Sequence, residues 1–141
     1  VMQLWLSGNL DSHAFIPADF WTGHFDMVRE MLPQAELYVH ENESTRQIDG
    51  FMGLTGNHIE GIFVAESARS RGIGKALLEH VKALKPSLTL SVYRRNRRAA
   101  SFYRREQFVV QAEGVDGDTN EAEIHMLWTR QPRPAEPKSL F

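Results

Sequence analysis

The chain has 141 residues, 42% of them hydrophobic and 24% charged, the balance of one folded domain rather than of a disordered segment. It contains no cysteine, which excludes a disulfide scaffold and fits a reducing cytoplasm, and no apolar run approaches the ~20 residues of a membrane-spanning helix. The net charge of −2 conceals a division. Residues 69–105 hold eleven basic residues against Glu79 alone and carry +10, while 1–68 carry −8 and 106–141 carry −4. A basic middle between acidic flanks points to an anionic ligand for the middle segment.

In chain order, Val1–Leu10 reads as the tail of a helix. Ile16-Pro17-Ala18-Asp19 opens a second, proline being suited to a first turn. Phe20, Trp21, Phe25, Val28 and Leu32 follow at helical spacing until Pro33. Strands are expected over Glu36–Glu43, Gln47–Thr55 and His58–Ala65, with Gly50 and Gly53 as candidates for bulges. In the third strand Ile59, Gly61 and Phe63 read as one face and Glu60, Ile62 and Val64 as the other. A helix from Gly72 to Leu84 buries Ile73, Leu77, Leu78, Val81 and Leu84 and stops before Pro86. Leu88–Tyr93 alternates as a strand. Asn96 caps a helix to about Glu106. Phe108–Ala112 and Ala122–Trp128 close the sheet across a Gly/Asp-rich turn at 114–120. Residues 1–129 form the domain, and 130–141, with three prolines, read as a flexible tail. The order implies an α/β (α+β) fold with a mixed sheet.

Gly72 and Gly74 lie between a strand and an amphipathic helix, where a helix start offers free N–H groups to an anion. Arg69, Arg71 and Lys75 add charge beside them. Two nucleotide motifs are excluded directly. A P-loop needs glycine at Arg69 and a hydroxyl at Ala76, and a dinucleotide fingerprint needs a small residue at Leu77. The glycines alone are equally compatible with a plain tight turn.

What remains is Arg69-x-x-Gly72-x-Gly74 after the Ile62-Phe63-Val64 strand, with Asn96-x-x-Ala99-x-x-Phe102-Tyr103 further on and Phe108 behind it. This pattern resembles the GNAT (Gcn5-related N-acetyltransferase) superfamily, and within it the small bacterial acetyltransferases of the YjaB/YiaC type. The His13-Ala14-Phe15-Ile16 and Phe20-Trp21 stretches support the narrower likeness. Gln107 departs from the glycine usual in the family, and the family's first strand is expected to be absent. The resemblance implies a mostly antiparallel twisted sheet with splayed central strands, and acetyl-coenzyme A as donor. It places the pyrophosphate on Arg69, Ser70, Arg71, Gly72, Ile73, Gly74 and Lys75. The pantetheine arm would lie along Ile62, Phe63 and Val64, beside Asn96, Ala99, Phe102 and Tyr103. No metal is expected.

The resemblance also makes Tyr103, two helical turns after Asn96, the general acid for the leaving thiolate; by itself it reads as a core aromatic. Glu60 is the candidate base, acting through water, or a holder for a cationic acceptor, with His58 as the alternative. His13, His24, Trp5, Phe15 and Trp21 would wall the acceptor site, and His125 lies on the last strand facing either side. Arg94, Arg95, Arg97, Arg98, Arg104 and Arg105 are divided between coenzyme contacts and a solvated face. The expected function is direct acetyl transfer to a primary amine of a small molecule or protein, in the cytoplasm. The alternative is a coenzyme A-binding or nucleic-acid-binding module without catalysis. Against nucleic acid stands the acidity of both flanks. A homodimer is among the open assemblies.

Overall fold

A computed structural model describes residues 1–69 and 71–130; the expected tail from 131 and Ser70 lie outside the described residues. Two helices open the chain, α1 (Met2–Ser12) and α2 (Ala18–Met31). Three strands follow, β1 (Glu36–Glu41), β2 (Ile48–Thr55) and β3 (His58–Val64). Helix α3 (Ile73–Leu84), β4 (Ser87–Tyr93), α4 (Arg97–Arg105), β5 (Val109–Val115) and β6 (Ala122–Thr129) complete it. The strands form one sheet in the order β1-β2-β3-β4-β6-β5. Every neighbouring pair is antiparallel except β3 with β4. The mixed, mostly antiparallel sheet flanked by helices is therefore as expected, and the first described element is α1.

Alternation along β4 sends Leu88, Leu90 and Val92 into one core and Tyr93 into the other. Leu77, Leu78 and Val81 of α3 and Tyr103 of α4 cover the first face. Burial of each such side chain contributes roughly 1.5–3 kcal/mol before entropy is subtracted. Trp5 and Trp21, from α1 and α2, cover Phe51 and Phe63 on the second face. Leu84 was expected in the α3 stripe but is exposed, because the helix ends there and the chain turns away into β4. The strand β5 begins after Phe108, which is buried beneath α4.

The third strand departs from simple alternation. Ile59 pairs with Leu54 and Gly61 with Gly53, so Glu60 is an extra residue with no partner on β2. This is a β-bulge, placed on β3 opposite Gly53. It reverses the side-chain faces beyond it. Ile59, Ile62 and Val64 all meet the α3/α4 core, whereas Phe63 meets the α1/α2 core. The expected grouping of Ile59 with Phe63 is corrected accordingly.

Gln107 occupies the left-handed region, φ 71°, where the family's glycine would be unstrained. The turn is nevertheless made: Phe108 N–H reaches the Tyr103 carbonyl at 2.9 Å, and Lys82 Nζ donates to the Glu106 carbonyl at 2.7 Å. The left-handed conformation costs a side-chain-bearing residue roughly 1–2 kcal/mol, partly offset by the extra chain entropy glycine loses on folding. Gln107→Gly should thus raise the unfolding free energy by up to about 1 kcal/mol, and Gln107→Val should lower it, both read from urea unfolding curves.

Candidate active site

Strands β3 and β4 pair only at His58 with Thr89 and Ile59 with Leu90. Beyond Leu90, β4 stays on β6 as far as Tyr93, and β3 stays on β2 as far as Val64. The two central strands therefore diverge inside an otherwise continuous sheet. A cleft of about 830 Å³ passes through the opening. Backbone groups of β3 that face the departed strand have no sheet partner there, and such groups call for a hydrogen-bonding ligand.

At one mouth of the cleft lies the start of α3. Gly72 adopts φ 78°, ψ 12° as the residue before the helix, a conformation open to glycine at little cost. Gly74 faces Phe102: a Cβ there would lie 3.6 Å from the Phe102 ring and 4.0 Å from Val64. Gly72, Ile73, Gly74 and Lys75 line the cleft, as do Asn96, Ala99, Phe102 and Tyr103, and Ile62, Phe63 and Val64 form its β3 wall. Two members of the expected cradle behave differently. Arg69 lines the cleft but forms an ion pair with Asp11 of α1, so its charge is already shared. Arg71 is exposed and is not part of the wall. Of the six clustered arginines, Arg98 and Arg105 reach the cleft, while Arg94 and Arg95 lie 3.7 Å and 3.5 Å from Glu113 and Glu121.

Tyr103 is buried between Phe102 and Phe108, and burial pushes its hydroxyl pKa up. It thus has both its core role and a place on the cleft wall. Glu60, the bulged residue, is exposed on that wall. His58 also lines it, with Nδ1 2.8 Å from the Thr89 hydroxyl.

The far mouth is aromatic and polar. Trp5, His13 and Trp21 line it. Phe15 and His24 do not: Phe15 backs onto Tyr93 and His13, and His24 bonds the Phe20 carbonyl within α2. Residues that sequence reasoning did not single out complete this mouth, namely Asn9, Ser91, Tyr93, Asp116 and Glu123. The signal for Ser91 and Tyr93 was present in the β4 alternation, whose polar face had no stated use. Tyr93 donates to Asp116 at 2.7 Å. Among the described residues no group of three or more His, Asp or Glu could hold a metal ion.

A chain of side-chain bonds joins α1 to the start of α4. Asn9 Nδ2 donates to the Trp5 carbonyl at 2.8 Å. His13 Nδ1 lies 2.9 Å from Asn9 Oδ1, and its Nε2 lies 3.1 Å from Asn96 Nδ2. Asn96 Oδ1 accepts from Ala99 N–H and so caps α4, as expected. With Asn96 donating, His13 must accept at Nε2 and carry its proton on Nδ1. Burial holds the His13 pKa down at about 4.

A sheet parted at its centre, with a helix start at one mouth of the gap and an aromatic wall at the other, is the arrangement that the resemblance to acyl-coenzyme A-dependent transferases implies. Residues 33–110 match the model of the acetyltransferase (GNAT) domain family, and the chain belongs to that family. The peptidyl-lysine N-acetyltransferase YjaB of Escherichia coli is 34% identical over 110 residues, covering 78% of this chain and 74% of its own. The peptidyl-lysine N-acetyltransferase YiaC of the same organism is 36% identical, covering 77% and 74%. The solution structure of apo YjaB from E. coli superposes with a TM-score of 0.79 at 32% identity, covering 90% of this chain and 87% of that one. The protein is accordingly an N-acetyltransferase that takes its acetyl group from acetyl-coenzyme A.

Because folding depresses the His13 pKa from 6.5 to about 4, the unfolded chain binds the extra proton first as pH falls. The stabilisation is complete above about pH 6.5 and declines as pH drops towards 4. Urea unfolding across this window should show that slope, and His13→Asn should flatten it.

Proposed function

We propose that the protein is a cytoplasmic peptidyl-lysine N-acetyltransferase. The single observation that carries the reading is the through-going cleft with two unlike mouths: basic and glycine-lined at α3, and aromatic at α1 and α2 with Glu60, Asp116 and Glu123 contributed by the sheet and the β5–β6 turn. The relatives YjaB and YiaC are peptidyl-lysine N-acetyltransferases, which supports a lysine side chain as acceptor, and the carboxylates on the cleft wall suit an ammonium group.

In this reading the N–H groups at the start of α3 receive the pyrophosphate, with Lys75, Arg98 and Arg105 adding attraction. The open edge of β3 at Ile62, Phe63 and Val64 pairs with the pantetheine amides as a strand would. A β3 N–H near the bulge faces the thioester oxygen, where negative charge grows during attack. Tyr103, its proton held firmly by burial, donates to the departing thiolate. Glu60 meets the incoming ammonium. Binding both substrates in one cleft makes the attack effectively intramolecular.

Tyr103→Phe should lower kcat by about 10²–10³ and leave the KM for acetyl-coenzyme A within twofold, in a thiol-release assay with lysine peptides. Gly74→Asp has steric room for its Cβ but sets a carboxylate against the pyrophosphate. Calorimetry should find acetyl-coenzyme A binding weaker by about tenfold or more, since roughly 1.4 kcal/mol of like-charge repulsion suffices for that factor. Unchanged affinity would place the pyrophosphate elsewhere.

A further inference from the structure

Ser91 is the first residue of β4 beyond the last β3–β4 pair, as Glu60 is on β3. The two therefore flank the point where the strands part, and both line the cleft. Ser91 faces His125 across the β4–β6 ladder, with Oγ 2.8 Å from His125 Nδ1. On its far side, His125 Nε2 lies 3.5 Å from Glu123 Oε1. Space for the imidazole in this orientation comes from β5, where a Cβ on Gly114 would come within 3.2 Å of Nε2. These neighbours select one tautomer. With its proton on Nε2, His125 points N–H at the Glu123 carboxylate and leaves Nδ1 to accept from the Ser91 hydroxyl. The other tautomer would set a lone pair against the carboxylate. The resulting order is hydroxyl, imidazole, carboxylate, the arrangement that makes a hydroxyl ready to exchange its proton.

We propose that Ser91 and His125 are the path by which the acceptor ammonium loses its proton, with Glu123 orienting His125 and Glu60 holding the amine. The proposal rests on the reading that the amine enters from the α1/α2 mouth. One ammonium proton passes to Ser91 Oγ as the Ser91 hydroxyl proton passes to His125 Nδ1. The freed nitrogen lone pair forms the C–N bond at the thioester carbon, and the C–S bond breaks with its electron pair on sulfur. Tyr103 protonates that sulfur and regains a proton from the new amide nitrogen. His125, with its side chain 40% exposed, returns its extra proton to water, so each turnover releases one proton. Ser91 touches the amine and is catalytic in this scheme; Glu123 is a positioning residue.

The test compares the wild-type chain with Ser91→Ala, His125→Gln and Glu60→Gln, using a lysine peptide and a small primary amine. Ser91→Ala and His125→Gln should each lower kcat by about tenfold or more while acetyl-coenzyme A affinity stays within twofold. The double variant should be no worse than either single one, because the two groups act as a unit. Raising the pH should restore both, since more amine then arrives deprotonated. Glu60→Gln should chiefly raise the KM for amine. Wild-type kcat in both Ser91→Ala and His125→Gln overturns the proposal. Nitrogen NMR of the imidazole gives a second readout independent of substrate: a proton on Nε2 is expected, and a proton on Nδ1 overturns the proposal. Turnover of the small amine but not the peptide would instead overturn the lysine reading, and the same variants remain decisive with the small amine.

Discussion

The parting of β3 from β4 is the constraint on which the site depends. A strand inside a sheet has hydrogen-bonding groups on both edges, and leaving one edge unpaired is costly unless water or a ligand takes it up. Here each strand keeps its outer partner, β2 for β3 and β6 for β4, so the opening does not cut the sheet. The bulge at Glu60 falls where the pairing stops. It adds bend and twist to β3, and it turns Ile62 and Val64 towards the α3/α4 core. The opening is held from both ends by α1. Asp11 takes Arg69 from the loop before α3, and His13 takes Asn96 from the cap of α4. The end of α1 is thus tied both to the loop before α3 and to the start of α4.

The charge layout takes on a finer grain in three dimensions. The +10 of residues 69–105 is not delivered whole to the ligand. Asp11 shares Arg69, and Arg94 and Arg95 lie near Glu113 and Glu121. The Arg94–Glu113 pair is exposed on both sides and worth little for stability, yet both pairs lower the field away from the cleft. Lys75, Arg98 and Arg105 are the cations left on the cleft wall. A narrow basic strip of that kind matches one phosphate-bearing cofactor better than the broad face a nucleic acid needs.

Local signals were legible in the sequence. The α3 stripe, the alternation of β4, the Asn96 cap and the glycine turn at the start of α3 each depend on residues a few positions apart. The acetyltransferase resemblance rested on the same short spacings. What was hidden depends on strands and helices distant in sequence. Gly53 was marked as a bulge candidate, but the extra residue sits opposite it on β3, and nothing in His58–Val64 distinguishes a bulged strand from a regular one. The Ser91–His125 pair exists because β4 neighbours β6 rather than β5, an order invisible to periodicity. The His13–Asn96 bond spans 83 positions. Arg71 read as part of the cradle because charge near a glycine loop carries no information about side-chain direction.

In the proposed scheme the acid and the proton acceptor sit in different surroundings within one cleft. The proposed acid, a phenol that holds its proton until sulfur departs, is best kept dry, and Tyr103 is enclosed by Phe102 and Phe108 with its pKa pushed up by burial. An ammonium that must shed a proton needs the opposite: carboxylates to admit the cation and a wet route for the proton to leave. Glu60 and Ser91 are exposed and His125 is partly so. Were the acid on the wet side, solvent would compete for its proton. Were the amine on the dry side, burying an ammonium would cost several kcal/mol before reaction. The gap between β3 and β4 is where a thioester can meet both, since Tyr103, Glu60 and Ser91 line the same cleft.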